Sequence, residues 1–119
     1  MKSNKKGFTL LELLVCMVIV SILSIIAISM FTKCIDKTYT AMVKHDLGES
    51  YRFAQMCYND GLEEIDEWSD LEERGLRTKP SIKLNIENGF ENTLMIIGWH
   101  EDNVDTVFQV DHSGHISRR

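Results

Sequence analysis

The most unusual ionisable residue in the sequence is Glu12, which stands at the start of a long apolar segment. The 20 consecutive residues from Leu13 to Thr32 include no charged side chain. A helix of about 20 apolar residues crosses a bilayer core of roughly 30 Å. A carboxylate inside such a segment costs free energy, on the order of 3 kcal/mol at the bilayer centre and less near the edge. We therefore predict that Glu12 has a specific function and a cationic partner.

Two ordinary explanations of the N-terminal segment account for it less well. A secretory signal peptide has a basic start, a shorter apolar core and a small-residue cleavage site. Lys2, Lys5 and Lys6 supply the basic start, but the apolar run is too long, and the Ser-Met-Phe-Thr-Lys sequence at its end is a poor cleavage site. A plain membrane anchor explains the lysines and the apolar run, but it gives Glu12 no role.

The motif around Glu12 resembles a known family. Residues 5–15 read Lys-Lys-Gly-Phe-Thr-Leu-Leu-Glu-Leu-Leu-Val, which is similar to the N-terminus of type IV pilins and type II secretion pseudopilins. The resemblance extends to about residue 31, and the rest of the chain matches no family motif. It implies that prepilin peptidase cleaves between Gly7 and Phe8, and that the new amine of Phe8 is then N-methylated.

The resemblance also gives Glu12 a partner, the charged amine that cleavage creates at Phe8. In an apolar filament core the amine and the carboxylate are both costly when alone. Paired between neighbouring subunits, each offsets the desolvation of the other, and the pair fixes the axial register. The implied assembly residues are therefore Phe8, Thr9 and Glu12.

Partners and location follow from the same resemblance. The implied partners are a prepilin peptidase/N-methyltransferase, copies of the chain, other pilin-like subunits and an inner-membrane assembly platform. The implied location is the inner (cytoplasmic) membrane as a single-pass protein, and then a cell-surface or periplasmic filament. Lysines flank the span on both sides, so the positive-inside count does not decide the orientation. The placement of the N-terminus in the cytoplasm is implied by the resemblance alone.

Composition restricts the other function classes. A chain of 119 residues forms one small domain at most. Its formal net charge of −5 becomes about −8 when the seven-residue leader takes three lysines away. An acidic chain argues against sequence-independent nucleic-acid binding. No nucleophile–base pair or phosphate-binding glycine loop is present, so we predict neither an enzyme nor a cofactor.

Two sets of potential metal ligands lie near the C-terminus. The histidines do not complete a four-ligand zinc site, and the oxygen ligands match a calcium loop poorly. The two sets are His100, His112 and His115 with Asp111, and Asp102, Asn103, Asp105 and Asp111. We predict no metal site and leave calcium binding between Asp102 and Asp111 open.

The three cysteines are an odd number. Cys16 lies in the apolar run and is most simply a small buried hydrophobic residue. Cys34 and Cys57 would stand about 34 Å apart on one helix, whereas a disulfide needs Cα atoms within about 7 Å. An intrachain bridge is therefore excluded unless the helix breaks, and a bridge between subunits stays open.

After the apolar run, apolar or aromatic residues recur every three or four positions, which indicates one face of a helix. They are Phe31, Ile35, Tyr39, Val43, Leu47, Tyr51, Ala54 and Tyr58. No proline interrupts the sequence from Phe8 to Asp60, and Asn59-Asp60-Gly61 is a stop signal. We therefore predict one helix from Phe8 to Asp60. Charged residues such as Asp46 fall off its apolar stripe.

The remaining residues predict a small head. Leu62, Ile65, Trp68 and Leu71 suggest a short acidic helix that Gly75 ends. Alternating or continuous apolar residues then predict strands at 82–87, 93–99, 106–110 and 115–117, with Asn88-Gly89 as a turn. The predicted fold class is α+β: a long N-terminal helix, transmembrane in its first half, whose second half packs on a three- or four-stranded antiparallel sheet.

These patterns divide the chain into a leader peptide (1–7), a transmembrane or filament-core helix (8–31), its amphipathic continuation (32–60) and a head (61–119). The predicted function is a structural subunit of a type IV pilus or pseudopilus. One alternative is a minor, tip-located subunit that acts as a binding or priming module in type II secretion, adhesion or DNA uptake. Another is an unprocessed, single-pass membrane-anchored protein. Many major pilins carry a proline late in the apolar run, and its absence here favours a minor subunit.

Overall fold

The computed structural model describes Gly7 and residues 9–119. By their contacts these residues form two compact units, one up to Ile35 and one from Asp36 to Arg119. The elements are α1 (Leu10–Asn59), α2 (Trp68–Glu72), β1 (Ile82–Asn88), a 3-10 turn (Glu91–Thr93), β2 (Met95–His100), β3 (Asn103–Asp111) and β4 (Ile116–Arg118). The predicted α+β class is confirmed.

The long helix α1 ends where the sequence predicts. Gly61 has φ +99°, a left-handed conformation that glycine adopts without steric cost. Its N–H donates to the carbonyl of Tyr58 at 3.0 Å, and the next N–H, of Leu62, donates to the carbonyl of Cys57 at 3.1 Å. These two bonds form a Schellman motif, which satisfies carbonyl groups that the end of the helix leaves unpaired.

The four strands form one antiparallel sheet in the order β1-β2-β3-β4, so each strand pairs with its neighbour along the chain. Ile96 at the centre of β2 lies opposite Ile86 of β1 and Val110 of β3, and Val110 lies opposite Ile116 of β4. Burial alternates along β2, as expected for a strand with one face on a core. The predicted antiparallel sheet of three or four strands is confirmed, and it has four.

The core of the second unit lies between residues 43–58 of α1 and one face of the sheet. Its buried apolar members include Val43, Leu47, Ala54, Tyr58, Ile65, Leu71, Ile82, Ile96, Phe108 and Val110. A Cβ on Gly98 would lie 3.3 Å from the Leu47 side chain, so β2 and α1 approach closely there. Burying a side chain such as Leu47 fully stabilises a fold by roughly 1.5–3 kcal/mol. The apolar stripe of the second half of α1 is thus the helical side of the core.

Residues 62–67 do not form the predicted start of a short acidic helix. Only Trp68–Glu72 is helical, and Gly75 ends this turn with φ +105°. Upstream, the N–H of Ile65 donates to the carbonyl of Gly89 at 2.9 Å, and Glu64 forms an isolated bridge with Phe90. Pairing with a segment distant in sequence therefore overrides the helical spacing of the apolar residues.

Asn88-Gly89 is predicted as a turn, and β1 does end at Asn88, but the chain does not reverse within these two residues. The connection from β1 to β2 is longer and includes the 3-10 turn, and the Asn88 side chain accepts hydrogen bonds from Phe90 N–H (3.1 Å) and Thr93 Oγ1 (3.0 Å). Glycine is needed at 89 for close approach instead, because a Cβ there would lie 2.0 Å from the carbonyl oxygen of Ile65. The Gly89 carbonyl also accepts the Tyr58 hydroxyl at 2.6 Å, and burial raises the pKa of Tyr58 to about 12.

Asp46 lies off the apolar stripe in sequence, yet it is only 3% exposed. Its Oδ2 accepts the backbone N–H of Lys79 at 3.2 Å, and its Oδ1 lies 3.2 Å from Nδ1 of His45. A buried carboxylate is tolerated where such partners satisfy it. Asp46 therefore ties the segment that leads into β1 to the helix.

We expect Asp46→Ala to lower the free energy of unfolding of the full chain by about 1–3 kcal/mol, because the Lys79 N–H loses its acceptor. Denaturant unfolding in detergent, followed by the fluorescence of Trp68 and Trp99, measures this. The matched control Asp36→Ala changes an exposed carboxylate of the same helix and should stay within about 0.5 kcal/mol of the parent. Equal effects of the two substitutions would contradict the role of Asp46.

Two glycine substitutions should change stability in opposite directions. Gly89→Ala puts a methyl group against the Ile65 backbone and should destabilise the head by about 1–3 kcal/mol. Gly48→Ala lies within α1, where a Cβ meets no atom within 4 Å, and should stabilise the chain by about 0.5–1 kcal/mol. Thermal unfolding of both variants checks this, and a stable Gly89→Ala protein would refute the close approach.

Candidate functional site

The candidate site is the N-terminal end of α1. Gly7 is exposed and has φ +139°, and Thr9 directly precedes the helix. Phe8, the predicted site of cleavage and methylation, lies outside the described residues. The predicted pairing of its amine with Glu12 therefore stays a prediction.

Thr9 caps the first turn of α1. Its Oγ1 accepts the backbone N–H of Glu12 at 3.2 Å, and its carbonyl accepts the N–H of Leu13 at 3.1 Å. The first N–H groups of a helix lack partners within the helix, and a threonine at this position satisfies one of them. Thr-x-x-Glu is also the sequence signature of a capping box. Residues 9–12 carry this signature, so the cap is predictable from the sequence.

The cap places Glu12 in the first turn of the helix. A carboxylate there interacts favourably with the positive end of the helix dipole, by about 0.3–1 kcal/mol at an exposed site. This local stabilisation offsets part of the cost of a carboxylate in an apolar environment, which is lower near the edge of a bilayer than at its centre. The cationic partner of Glu12 stays a prediction.

The apolar part of α1 exposes large hydrophobic side chains on all its sides. Leu10 is 85% exposed, Leu11 is 69% exposed and Phe31 is 67% exposed. Between Leu10 and Phe31 the other large exposed hydrophobic residues are Leu13, Leu14, Val15, Met17, Val18, Ile19, Val20, Ile22, Leu23, Ile25, Ile26, Ile28 and Met30. Apolar surface on this scale indicates burial against lipid or protein partners. Of the helices in the described chain, only α1 is long and apolar enough to cross a membrane.

Four hydroxyl-bearing residues interrupt this apolar surface, Ser21, Ser24, Ser29 and Thr32, and three of them bond to carbonyls of the helix itself. Ser21 donates to the carbonyl of Met17 at 2.7 Å, and Ser24 donates to that of Val20 at 2.7 Å. Thr32 donates in the same way to the carbonyl four residues before it at 2.8 Å. A hydroxyl bonded to its own helix needs no further partner in an apolar environment. These three residues therefore do not compete with Glu12 as polar assembly groups.

The cysteines occupy different environments. Cys16 was predicted to be buried, but it is exposed, like the rest of the apolar surface around it. Cys34 is also exposed and lies on the same unbroken helix as Cys57, which excludes an intrachain bridge between them. Cys57 is fully buried, and burial raises the pKa of its thiol. Its Sγ lies 3.9 Å from the carbonyl oxygen of Asp70. Cys57 is therefore a core residue and is inaccessible to a neighbouring chain in this fold.

The candidate metal ligands do not converge. In the described part of the chain no three His, Cys, Asp or Glu residues are placed to hold a metal ion. Asp111 is instead the centre of a turn, where its Oδ1 accepts hydrogen bonds from Ser113 Oγ (2.6 Å), Ser113 N–H (3.0 Å) and His115 N–H (3.1 Å). The hydroxyl bond from Ser113 is the main cause that lowers the pKa of the Asp111 carboxyl.

His100 is only 4% exposed and stacks on Tyr39 of α1, with ring centroids 3.9 Å apart. Its Nδ1 accepts the backbone N–H of Asp102 at 3.0 Å, which closes the turn between β2 and β3. The aromatic residues Tyr51 and Tyr58 also contact the head, through hydroxyl groups that donate to backbone carbonyls at 3.3 and 2.6 Å. These histidine and tyrosine side chains serve the packing of the head.

Comparison with known proteins identifies the N-terminal segment. Residues 2–28 match the family model described as the prokaryotic N-terminal methylation motif. Curated proteins described as type IV major fimbrial protein FimA, from Dichelobacter nodosus, are also similar to the chain. Two are 36% identical over 63 residues, and a third is 36% identical over 61 residues.

The match to the first of these proteins covers 53% of this chain and 40% of the fimbrial protein, so less than half of that relative is compared. The family model includes Gly7, Phe8, Thr9 and Glu12, the residues on which the resemblance was recognised. By its N-terminal segment, the chain therefore carries the prokaryotic N-terminal methylation motif and is similar to type IV major fimbrial proteins.

Proposed function

We propose that the chain is a structural subunit of a type IV pilus or related pseudopilus, which assembles through its N-terminal helix. The observation that carries this proposal is the apolar surface from Leu10 to Phe31, which directly follows the methylation motif. Such a surface suits two environments in turn, the membrane before assembly and neighbouring helices afterwards. The first environment would be the inner membrane, and the second a surface or periplasmic filament.

Processing would precede assembly. A prepilin peptidase cleaves the bond between Gly7 and Phe8, and the exposed position of Gly7 is compatible with access by that enzyme. Cleavage removes the lysines at positions 2, 5 and 6 and creates a new amine at Phe8. Methylation of this amine preserves its charge while leaving it able to pair with a carboxylate.

The charged amine then selects the position of each new subunit. Lipid and packed helices are similarly apolar, so moving α1 from the membrane into a filament gains little hydrophobic free energy. A Glu12 carboxylate paired with the Phe8 amine of a neighbouring copy removes two unpaired charges from an apolar environment at once. The cap at Thr9 orders the turn that presents Glu12. The assembly residues Phe8, Thr9 and Glu12 thus have different roles in one contact.

A minor, tip-located subunit is the second candidate function. The favouring observation is that α1 continues unbroken through Ala27–Met30, where many major pilins carry a proline. A minor subunit would assemble with other pilin-like proteins on an inner-membrane platform, and its head would act as a binding or priming module. Its content in sheared filaments would be far below that of a major subunit.

We expect Gly7→Ala to block cleavage, because the peptidase motif loses its glycine. The intact mass of the purified protein is the measurement. The parent should have a mass that begins at Phe8 with one added methyl group, and the variant should keep the mass that begins at Met1. The control Gly61→Ala changes a glycine at the far end of α1 and should still be processed. A parent protein that itself begins at Met1 would establish the membrane-anchored alternative.

We expect Glu12→Ala and Glu12→Gln to be processed normally but to enter filaments poorly, by roughly tenfold or more, since an unpaired buried amine costs several kcal/mol. Quantitative immunoblots of sheared filaments and of membranes measure the ratio. Ser21→Ala, which removes a hydroxyl group from the same helix, serves as the control and should assemble like the parent. Normal incorporation of Glu12→Gln would refute the ion pair, because that variant keeps the size of the side chain.

A further inference from the structure

The part of α1 within the head unit has an exposed face with charges of only one sign. Lys37, Lys44 and Arg52 lie within about 80° of one another around the helix axis at 3.6 residues per turn. All three are exposed. The acidic residues Asp36 and Glu49 lie to either side of this range. We call the surface formed by Lys37, Ala41, Lys44, Gly48 and Arg52 the cationic face.

The charges of the cationic face are only weakly engaged within the chain. Arg52 pairs with Glu49 at 2.8 Å, but its side chain is 74% exposed, and exposed pairs of this kind contribute little. The Lys44 ammonium lies 5.3 Å from the centre of the Phe108 ring. Lys37 makes no ion pair with the described residues, although Asp36 lines the same shallow groove.

Gly48 adds an independent observation. It lies within α1 on this face, where a Cβ would meet no atom within 4 Å, and its φ is not positive. Glycine within a helix is destabilising relative to alanine. Nothing in the described chain requires glycine at this position. Glycine here leaves room for close approach of another backbone to the helix, and no atom of the described chain takes that space.

The head also carries a segment of opposite charge. Residues 60–73 contain eight acidic residues and no lysine or arginine: Asp60, Glu63, Glu64, Asp66, Glu67, Asp70, Glu72 and Glu73. Asp60 pairs with Arg74, and Glu67 and Asp70 form the capping box of α2. The exposed residues Glu63, Asp66, Glu72 and Glu73 make no ion pair with any cation in the described part of the chain.

We propose that the cationic face docks the acidic segment 60–73 of a second copy of the chain. Within one copy, Lys37 and Lys44 lie about 33 Å and 22 Å before the end of α1 at 1.5 Å per residue, and neither forms an ion pair with a described residue of this segment. Two different surfaces of the same head then meet, which is a heterologous contact that repeats along a polymer. Complementary charges also suppress wrong registers. The inference rests on the proposed function and names the head contact that would accompany the Glu12 pair.

Carbodiimide cross-linking of the full chain in membranes and sheared filaments tests the contact directly, since it joins an ammonium group to a carboxylate that touches it. We expect links from Lys37 or Lys44 to residues 63–73, identified by mass spectrometry of the peptides. A link that joins an isotopically labelled peptide to an unlabelled one, in filaments assembled from both forms, is a link between copies. If Lys37 and Lys44 in filaments are linked only to carboxylates outside residues 63–73, the proposal is overturned.

A charge exchange provides the second test. Lys37→Glu with Lys44→Glu, and separately Glu72→Lys with Glu73→Lys, should each reduce the ratio of filament to membrane protein roughly tenfold. The variant with all four substitutions should recover to within about threefold of the parent, because the two surfaces are again complementary. The control Arg77→Glu with Lys83→Glu makes the same change of charge as the Lys37 and Lys44 variant, but outside both surfaces, and should assemble normally.

The results separate this inference from the proposed function. If the parental protein is cleaved and enters filaments, the proposed function stands. Double variants that then assemble normally, or a fourfold variant that does not recover, overturn the docking contact alone. Parental protein that stays uncleaved and absent from filaments overturns the proposed function, and the intact mass reports this before any variant is made.

Discussion

The apolar surface of α1 between Leu10 and Phe31 is the constraint on which the rest of the molecule depends. Its large side chains are exposed in the described structure, and burying each one is worth roughly 1.5–3 kcal/mol. Only an environment outside the chain can provide that burial. Because lipid and neighbouring helices are similarly apolar, the choice between them depends on specific contacts. We propose the Glu12 carboxylate at one end of the surface as such a contact, since the cost of burying it differs greatly between a paired and an unpaired state.

The head depends on the same helix in a different way. About 60 residues beyond the helix bury too little surface to be well stabilised alone. Residues 43–58 of α1 complete their core, with Leu47 beside Gly98 and the Tyr58 hydroxyl bonded to the Gly89 carbonyl. The helix is therefore apolar all round in its first part and apolar on one face in its second. Its remaining exposed face in the head is the one that carries Lys37, Lys44 and Arg52.

Local sequence signals predicted much of the fold. The end of α1 at Gly61, the alternation along β1 and the order of the strands follow from interactions between residues close in sequence. The predicted apolar stripe also identified Val43, Leu47, Ala54 and Tyr58 as core residues, and they are buried. At the candidate site the sequence identified Glu12 by its type and place, although the cap by Thr9 was overlooked. The partner of Glu12 belongs to a residue outside the described structure, so this part of the site stays a prediction.

The sequence by itself determined the elements whose stabilising contacts lie within a few positions: an uncharged span, a helical period and a glycine stop. Only the tertiary structure decided the burial and contacts of polar and small residues whose partners are distant in sequence. Asp46 is buried because it bonds to the Lys79 N–H, 33 positions away, and Gly89 is required because the Ile65 carbonyl lies against it. Residues 62–67 are not helical for the same reason, since pairing with Gly89 and Phe90 replaces a helix that their spacing favoured. Periodicity records which face is apolar, but it carries no information about which distant backbone group will need a partner.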